Sequence, residues 1–357
     1  MVARGMLDLE ESAPSKRRAS MRDVARVAGV SLSSVSLVAA EHPGVGDETR
    51  ARILDAMQRL DYNLPSRPRR DRPRYTLGII SEQLVEPIER DIFYGEILQG
   101  MQLEAQQQGH RVLLHLLRPG DPETPLLHDD MADEINGMVL ANGGDLTDGL
   151  IMRLANSRVP VVLVDNYVIN QPLHCVVADN VTAGYQATKH LLGLGHRRVA
   201  LLPGPRKYRS LVDRQEGYLD ALVEHGLSGD PDLMPPPTHH AGGQKGYHQM
   251  LRLLNLPKPP TAVVAISDKT AFGAMEALKE RGKHIPRDMA MVSIDDTAES
   301  AHTTPALTTV HVPRAEMGAE GVRRLLALLG GYAPRPTKTV LYTNLVIRES
   351  CGAAGVR

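Results

Sequence analysis

The chain has 357 residues, a formal net charge of −1 and an apolar fraction of 42%, the values of an ordinary soluble protein long enough for more than one domain. No run of 18 apolar residues occurs, and residues 1–20 lack the apolar core of a signal peptide, which argues against a membrane span and against export. Cys175 and Cys351 show no metal-ligand or redox spacing and read as reduced thiols of a cytoplasmic protein.

The charge is unevenly spread. Residues 1–74 carry 14 Lys/Arg against 10 Asp/Glu, and the remainder carries 27 against 32. A small basic head on a mildly acidic body points to a polyanionic partner for the head.

Residues 1–19 read as a disordered arm tipped with Lys and Arg. Ser20 then caps a first helix in which Val24, Val27 and Ala28 recur at helical spacing, with Asp23 completing a capping box. Gly29-Val30 breaks it, and Ser31 caps a second helix over about 31–40. A third, about 47–60, carries a stripe of Ile53, Leu54, Met57 and Leu60. On the second helix Val35, Val38 and Ala39 share the side that can pack on the first. Ser33, Leu37 and Ala40 lie opposite, flanked by Ser34 and Ser36. Two short helices around a glycine turn, with small residues outside, suit entry into a DNA major groove. A plain helical hairpin with a wet serine face fits the same spacing. Residues 63–74 (NLPSRPRRDRPR) hold three prolines and five arginines and read as a basic linker.

From Tyr75 onward, β-rich runs (YTLGII, RVLLHLL, GMVLA, PVVLVD, CVVAD, RRVALLPG, TAVVAIS, MAMVSID) alternate with helical segments. Such continuous apolar strands belong to parallel sheets covered on both faces. This length is too great for one sheet, so two doubly wound α/β lobes are predicted: 75–178 with 312–337, and 179–311 with 338–357. Ligands of such sheets bind beyond the strand carboxyl ends, where Asp165, Asp179, Ser267-Asp268 and Asp295-Asp296 fall. Carboxylates facing Arg214 suit a polyhydroxylated ligand. Asp179 and Asp268 read better as helix caps. Adjacent Asp295 and Asp296 should diverge rather than share a proton, and His239-His240 reads as a surface loop. There is no phosphate loop, G-x-S-x-G or H-E-x-x-H, so no enzyme, cofactor or metal centre is predicted.

The segment MRDVARVAGVSLSSVSLVAAEHPGVGDETRARILDAMQRLDY resembles the DNA-binding head of the lac repressor family. Later segments match in order: ADNVTAGYQATKHLLGLGHRRVALLPGP, RQEGYLDAL, PTAVVAISDKTAFGAMEALKERG, IPRDMAMVSIDD, PALTTV and IRES. The resemblance covers nearly all of residues 20–350. It implies a helix-turn-helix head over 20–62, a periplasmic-binding-protein-like body, a homodimer on a pseudo-palindromic operator, and a repressor working on the nucleoid. An activator is the alternative.

By the same resemblance the head's contacts fall on the Ser31–Ser34 turn, with Leu32, Ser33 and Leu37 at bases, and on Arg22 and Arg50 at phosphates. The family's usual arginine is replaced here by Leu37. The family's linker helix and its minor-groove leucine have no counterpart, and Pro68 and Pro73 oppose a helix there. Arg67, Arg69 and the other linker arginines would instead follow phosphates or a narrow minor groove. For the effector, the resemblance adds Phe93, Tyr94, Tyr208, Ser210 and Ser267 to Asp165, Arg214 and Asp295. The implied ligand is a sugar or sugar phosphate, with a nucleoside or purine as alternative.

Overall fold

In the computed structural model, the described residues are 19–39, 45–60, 62, 74–82, 93–117, 133–141, 146–236, 242–332 and 335–353. The arm, most of the linker with Arg67 and Arg69, Ala40 and the His239-His240 pair lie outside them. The chain divides into two compact units, 1–73 and 74–357.

The first unit holds α1 (Met21–Ala28), α2 (Leu32–Ala39) and α3 (Asp47–Arg59). Local chemistry sets the start and stop of α1. The Ser20 hydroxyl accepts the Asp23 amide, the Asp23 carboxylate accepts the Ser20 amide at 2.9 Å, and Gly29 closes the helix at φ 64°. Arg52, from α3, donates to the carbonyls of Ala28 (2.5 Å) and Gly29 (3.3 Å) at the end of α1. Val24, Ala28, Val35, Val38, Ile53 and Met57 form the core of the head. Two residues predicted on apolar stripes lie outside it: Val27 is 48% and Leu54 is 53% exposed.

The second unit contains two sheets. The first has the order β10-β5-β4-β3-β1-β2, all parallel, from β1 (Thr76–Glu82), β2 (Arg111–Leu117), β3 (Gly137–Ala141), β4 (Val161–Val164), β5 (Cys175–Ala178) and β10 (Lys338–Leu341). The second has the order β11-β9-β8-β7-β6, from β6 (Val199–Leu202), β7 (Ala262–Ala265), β8 (Ala290–Asp295), β9 (Thr308–His311) and an antiparallel edge, β11 (Asn344–Val346). The interior strands β3, β5, β7 and β8, and the edge strand β6, are buried along their whole length, as strands covered on both faces must be.

Helices α4 (Tyr94–Gln107), α5 (Asp148–Ala155) and α10 (Arg314–Leu329) belong to the first lobe. Helices α6 (Asn180–Gly193), α7 (Arg209–Glu224), α8 (Gly242–Leu254) and α9 (Asp268–Glu280) belong to the second. One predicted boundary needs correction. Lys338–Leu341 pairs in parallel with Cys175–Ala178, so it closes the first sheet, and the last crossing falls after Leu341 rather than before Lys338. Two residues alone separate β10 from β11, too short a break for the apolar pattern to reveal.

Two glycines allow the close helix contacts that place the site. A Cβ on Gly184 of α6 would lie 1.9 Å from the Arg214 carbonyl of α7, and one on Gly246 of α8 would lie 1.9 Å from the Thr270 carbonyl of α9. Both helix pairs therefore pack backbone to backbone.

Candidate DNA-reading and effector sites

On α2 the buried and exposed faces separate as the spacing predicts. Val35 and Val38 are inside, while Leu32 and Leu37 are 45% and 37% exposed and Ser33 and Ser36 are exposed with them. The Ser31 hydroxyl accepts the Ser34 amide at 3.1 Å and shares hydrogen bonds with the Ser33 (2.7 Å) and Ser34 (2.8 Å) hydroxyls. Ser31 and Ser34 thus build the helix start, and Ser34 is half-buried. Arg22 is exposed on α1 and Arg50 half-buried on α3.

The second candidate site lies where the carboxyl ends of both sheets meet. Three acids there, Asp165 (φ 61°), Asp295 (φ 138°) and Asp296 (φ 58°), hold positive φ, a conformation costing about 1–3 kcal/mol and concentrated at functional sites. From α7, Arg214 is 2% exposed. Its Nε donates to Asn180 Oδ1 at 2.9 Å, and Nη1 donates to the Ile266 carbonyl and to Asp295 Oδ1, both at 2.8 Å. None of these bonds uses Nη2. Asp295 also accepts the Asp268 amide through Oδ2 at 3.3 Å, and its carbonyl accepts from Arg314.

On the first lobe, the Tyr94 hydroxyl donates to Asp165 Oδ2 at 2.9 Å. Burial drives the Asp165 carboxyl up to about 7, against the opposing pull of Arg214 and the Tyr94 hydrogen bond. A carboxyl half-protonated at neutral pH can both accept from and donate to a ligand hydroxyl. Phe93 meets Tyr94 edge to face at 5.2 Å, and its ring lies 5.8 Å from the Arg314 guanidinium. Tyr208 precedes α7 with Lys207 over its ring at 4.9 Å, and Ser210 is buried one turn before Arg214.

Other predicted positions take structural work. Asp179 caps α6 by accepting the Thr182 amide at 3.1 Å, as expected. Ser267, predicted to meet ligand, caps α9: its hydroxyl accepts the Thr270 amide at 3.2 Å and pairs with the Thr270 hydroxyl at 2.9 Å. Asp268, predicted to cap, instead accepts from Ser293, from the Thr309 hydroxyl (2.7 Å) and from the Thr297 amide (2.8 Å), tying β8 to β9. Ser267 rather than Asp268 caps α9 because the residue before the first helical turn, not the first within it, reaches the free amides. Asp296 turns away from Asp295 to Arg348 (2.6 Å) and His311 (3.0 Å).

Sequence reasoning missed Asn180, Arg314 and Lys245. It also missed two bonds across the lobes, Tyr167 hydroxyl to Asp213 at 2.8 Å and Arg209 to Asp148 at 3.4 Å. Lys245 carried the one usable signal: on α8 it continues the buried stripe of Gln249 and Leu253 at four-residue spacing. Cys175 and Cys351 are buried and unpaired with each other. No helix among the described residues is long and apolar enough to cross a membrane.

Comparison with known proteins agrees with this architecture. Residues 20–65 match bacterial regulatory proteins of the lacI family, and residues 188–351 match the periplasmic binding protein-like domain. The transcriptional repressor CytR of Escherichia coli strain K12 is 30% identical over 341 residues, 94% of this chain and 97% of its own. Among solved structures, the transcriptional regulator CelR–cellobiose complex is similar with a TM-score of 0.71 at 29% identity, over 93% of this chain and 100% of that one. The lac repressor dimer bound to operator and the anti-inducer ONPF gives 0.66 at 26% identity, over 94% and 99%. With a helix-turn-helix head, a two-lobed parallel-sheet body and relatives that are transcription regulators rather than enzymes, the chain belongs to the lacI family of DNA-binding regulators.

Proposed function

We propose that the protein is a homodimeric repressor whose two heads hold the halves of a pseudo-palindromic operator on the nucleoid, under the control of a small polar effector bound between the lobes of the body. In the head, Leu32, Ser33 and Leu37 face the base edges, the Ser31–Ser34 turn sets the angle of α2, and Arg22, Arg50, Arg67 and Arg69 hold phosphates. Leu37 can meet a thymine methyl but cannot grip guanine as an arginine does. The exposed Leu37 on a serine face supports this reading. So does the lac repressor dimer, a relative solved on operator DNA.

The effector is a sugar or sugar derivative. The observation that carries this is the facing pair of polar walls, Tyr94–Asp165 on one lobe and Arg214–Asp295 on the other. Together they offer both donors and acceptors to vicinal hydroxyls, with Phe93, Tyr208 and Ser210 around them. The similar CelR structure holds cellobiose. A ligand touching both walls favours one lobe arrangement, and the Tyr167–Asp213 and Arg209–Asp148 contacts are those a lobe movement would break. Control requires that the ligand discriminate between the arrangements.

The test is selection of sites from a random duplex pool by the purified protein at fixed physiological salt, repeated with candidate ligands. The expected product is a two-fold palindrome whose enrichment changes with ligand. A strongly preferred central step would show that the linker reads the minor groove. No enrichment over bulk DNA, with or without ligand, refutes the proposal.

A further inference from the structure

Lys245 is 5% exposed on α8, on the buried face it shares with Gln249 and Leu253. Gly246 beside it brings α8 onto the Thr270 carbonyl. One turn on, the Gln249 amide donates to the carbonyls of Pro203 (3.1 Å) and Pro235 (3.2 Å), fixing the rotation of the helix. Among the described residues no acceptor takes a hydrogen bond from the Lys245 ammonium, and its nitrogen is not one of the sealed, unpartnered polar atoms, so its tip reaches accessible space. The charge lies in the field of Asp295, which favours it, and of Arg214, which opposes it. Asp295 is already committed to Arg214 and to the Asp268 amide.

An ammonium at the tip of a buried side chain, with no protein acceptor, keeps only the water its accessible end can reach, and an anion could take that place. Burial pushes Lys245 down to about 8, which leaves it charged in most molecules at neutral pH. Across the cleft Asp165 offers little compensation, its carboxyl being held near 7.

We propose that the effector carries an anionic group, carboxylate or phosphate, on its polyhydroxylated frame, and that Lys245 binds that group. This rests on the reading of the cleft as the effector site. An ammonium is a compact charge that meets either anion without the planar match arginine requires. The anion would supply the acceptor that the fold withholds.

Calorimetric titration of the full-length protein with D-glucose, D-glucuronate, D-glucose 6-phosphate and adenosine, at constant pH and ionic strength, tests this. Thermal melts with inorganic phosphate against chloride accompany it. The expected result is a preference of about tenfold for glucuronate or glucose 6-phosphate over glucose, with the better of the two telling sugar acid from sugar phosphate. Lys245→Met should abolish that preference and the phosphate stabilisation, yet raise the melting temperature, since it fills a similar volume without the charge. Lys245→Gln should lose the preference as well.

Glucose or adenosine binding as well as the anions, anion binding unchanged in Lys245→Met, or a lowered melting temperature in that variant would each overturn the proposal. If Tyr94→Phe still weakens whatever ligand binds, the cleft reading survives. If neither Tyr94→Phe nor Lys245→Met affects binding, both fail. No phosphate stabilisation and no binding by any of the four ligands overturns the anion site.

Discussion

Replacing Asp295 by alanine removes the carboxylate that Arg214 Nη1 meets at 2.8 Å, in a pair whose side chains are 2% and 6% exposed. Arg214 keeps its bonds to Asn180 and the Ile266 carbonyl, but neither carries charge. The Asp268 amide loses its acceptor at the same time. Breaking a buried pair on one side typically costs about 3–5 kcal/mol, because the remaining charge is left uncompensated. Arg314 and Lys245 add further cations to the same field. Backbone strain is a competing cause, since Asp295 holds φ 138°. Asp295→Asn separates the two, as it preserves shape and an acceptor and loses only charge. Equilibrium urea unfolding, with the slope checked for constancy, should show Asp295→Ala losing about 3–5 kcal/mol and Asp295→Asn about half of that. A double cycle with Arg214→Met should give a coupling above about 1 kcal/mol. A loss below about 1 kcal/mol for the alanine variant, or no coupling to Arg214, would refute the view that this pair organises the cleft.

Three further outcomes follow from particular contacts. Leu37→Arg, on the exposed face of α2, should create a preference for guanine at one position per half-site worth about 1–3 kcal/mol; unchanged selected sites would show that α2 does not read bases there. For Asp165, whose carboxyl is raised from 3.8 to about 7 in the fold, stability is lost as pH climbs from about 4 to about 7, because the unfolded chain ionises first. Asp165→Asn should therefore gain up to about 4 kcal/mol over the native protein at pH 8 and almost nothing at pH 4, measured by paired denaturant melts; a constant difference across pH would refute the assignment. Gly184→Ala would drive a methyl to 1.9 Å from the Arg214 carbonyl. It should lower the melting temperature and weaken effector binding together, whereas wild-type affinity in a folded variant would show that α6 does not position Arg214.

Much of the plan was readable in one dimension because it rests on short-range rules. Ser20, Asp23 and Gly29 delimit α1 through bonds three or four residues long, and the interior strands are apolar throughout because both faces are covered. Val35 and Leu37 separate to opposite faces of α2 by helical geometry alone. The strand-end acids were equally legible, since a parallel sheet exposes its carboxyl edge to ligands.

Pattern failed where a decision depended on a distant partner. Val27 and Leu54 fit their stripes but stay about half exposed in a head this small. The chain around β10 and β11 reads as one run, and only pairing with Cys175–Ala178 assigns its first part to the first sheet. Lys245 shares the stripe of Gln249 and Leu253, but only the backbone contact of Gly246 with Thr270 shows that this face is buried. The sequence by itself determined the elements, the caps of the first helices and the acids at the strand ends, because those follow from bonds within a few residues and from the period of burial. The tertiary structure alone decided which of those acids is paired, which is held near neutrality and which cation lacks a partner. Those depend on distances between lobes and helices that no local spacing encodes.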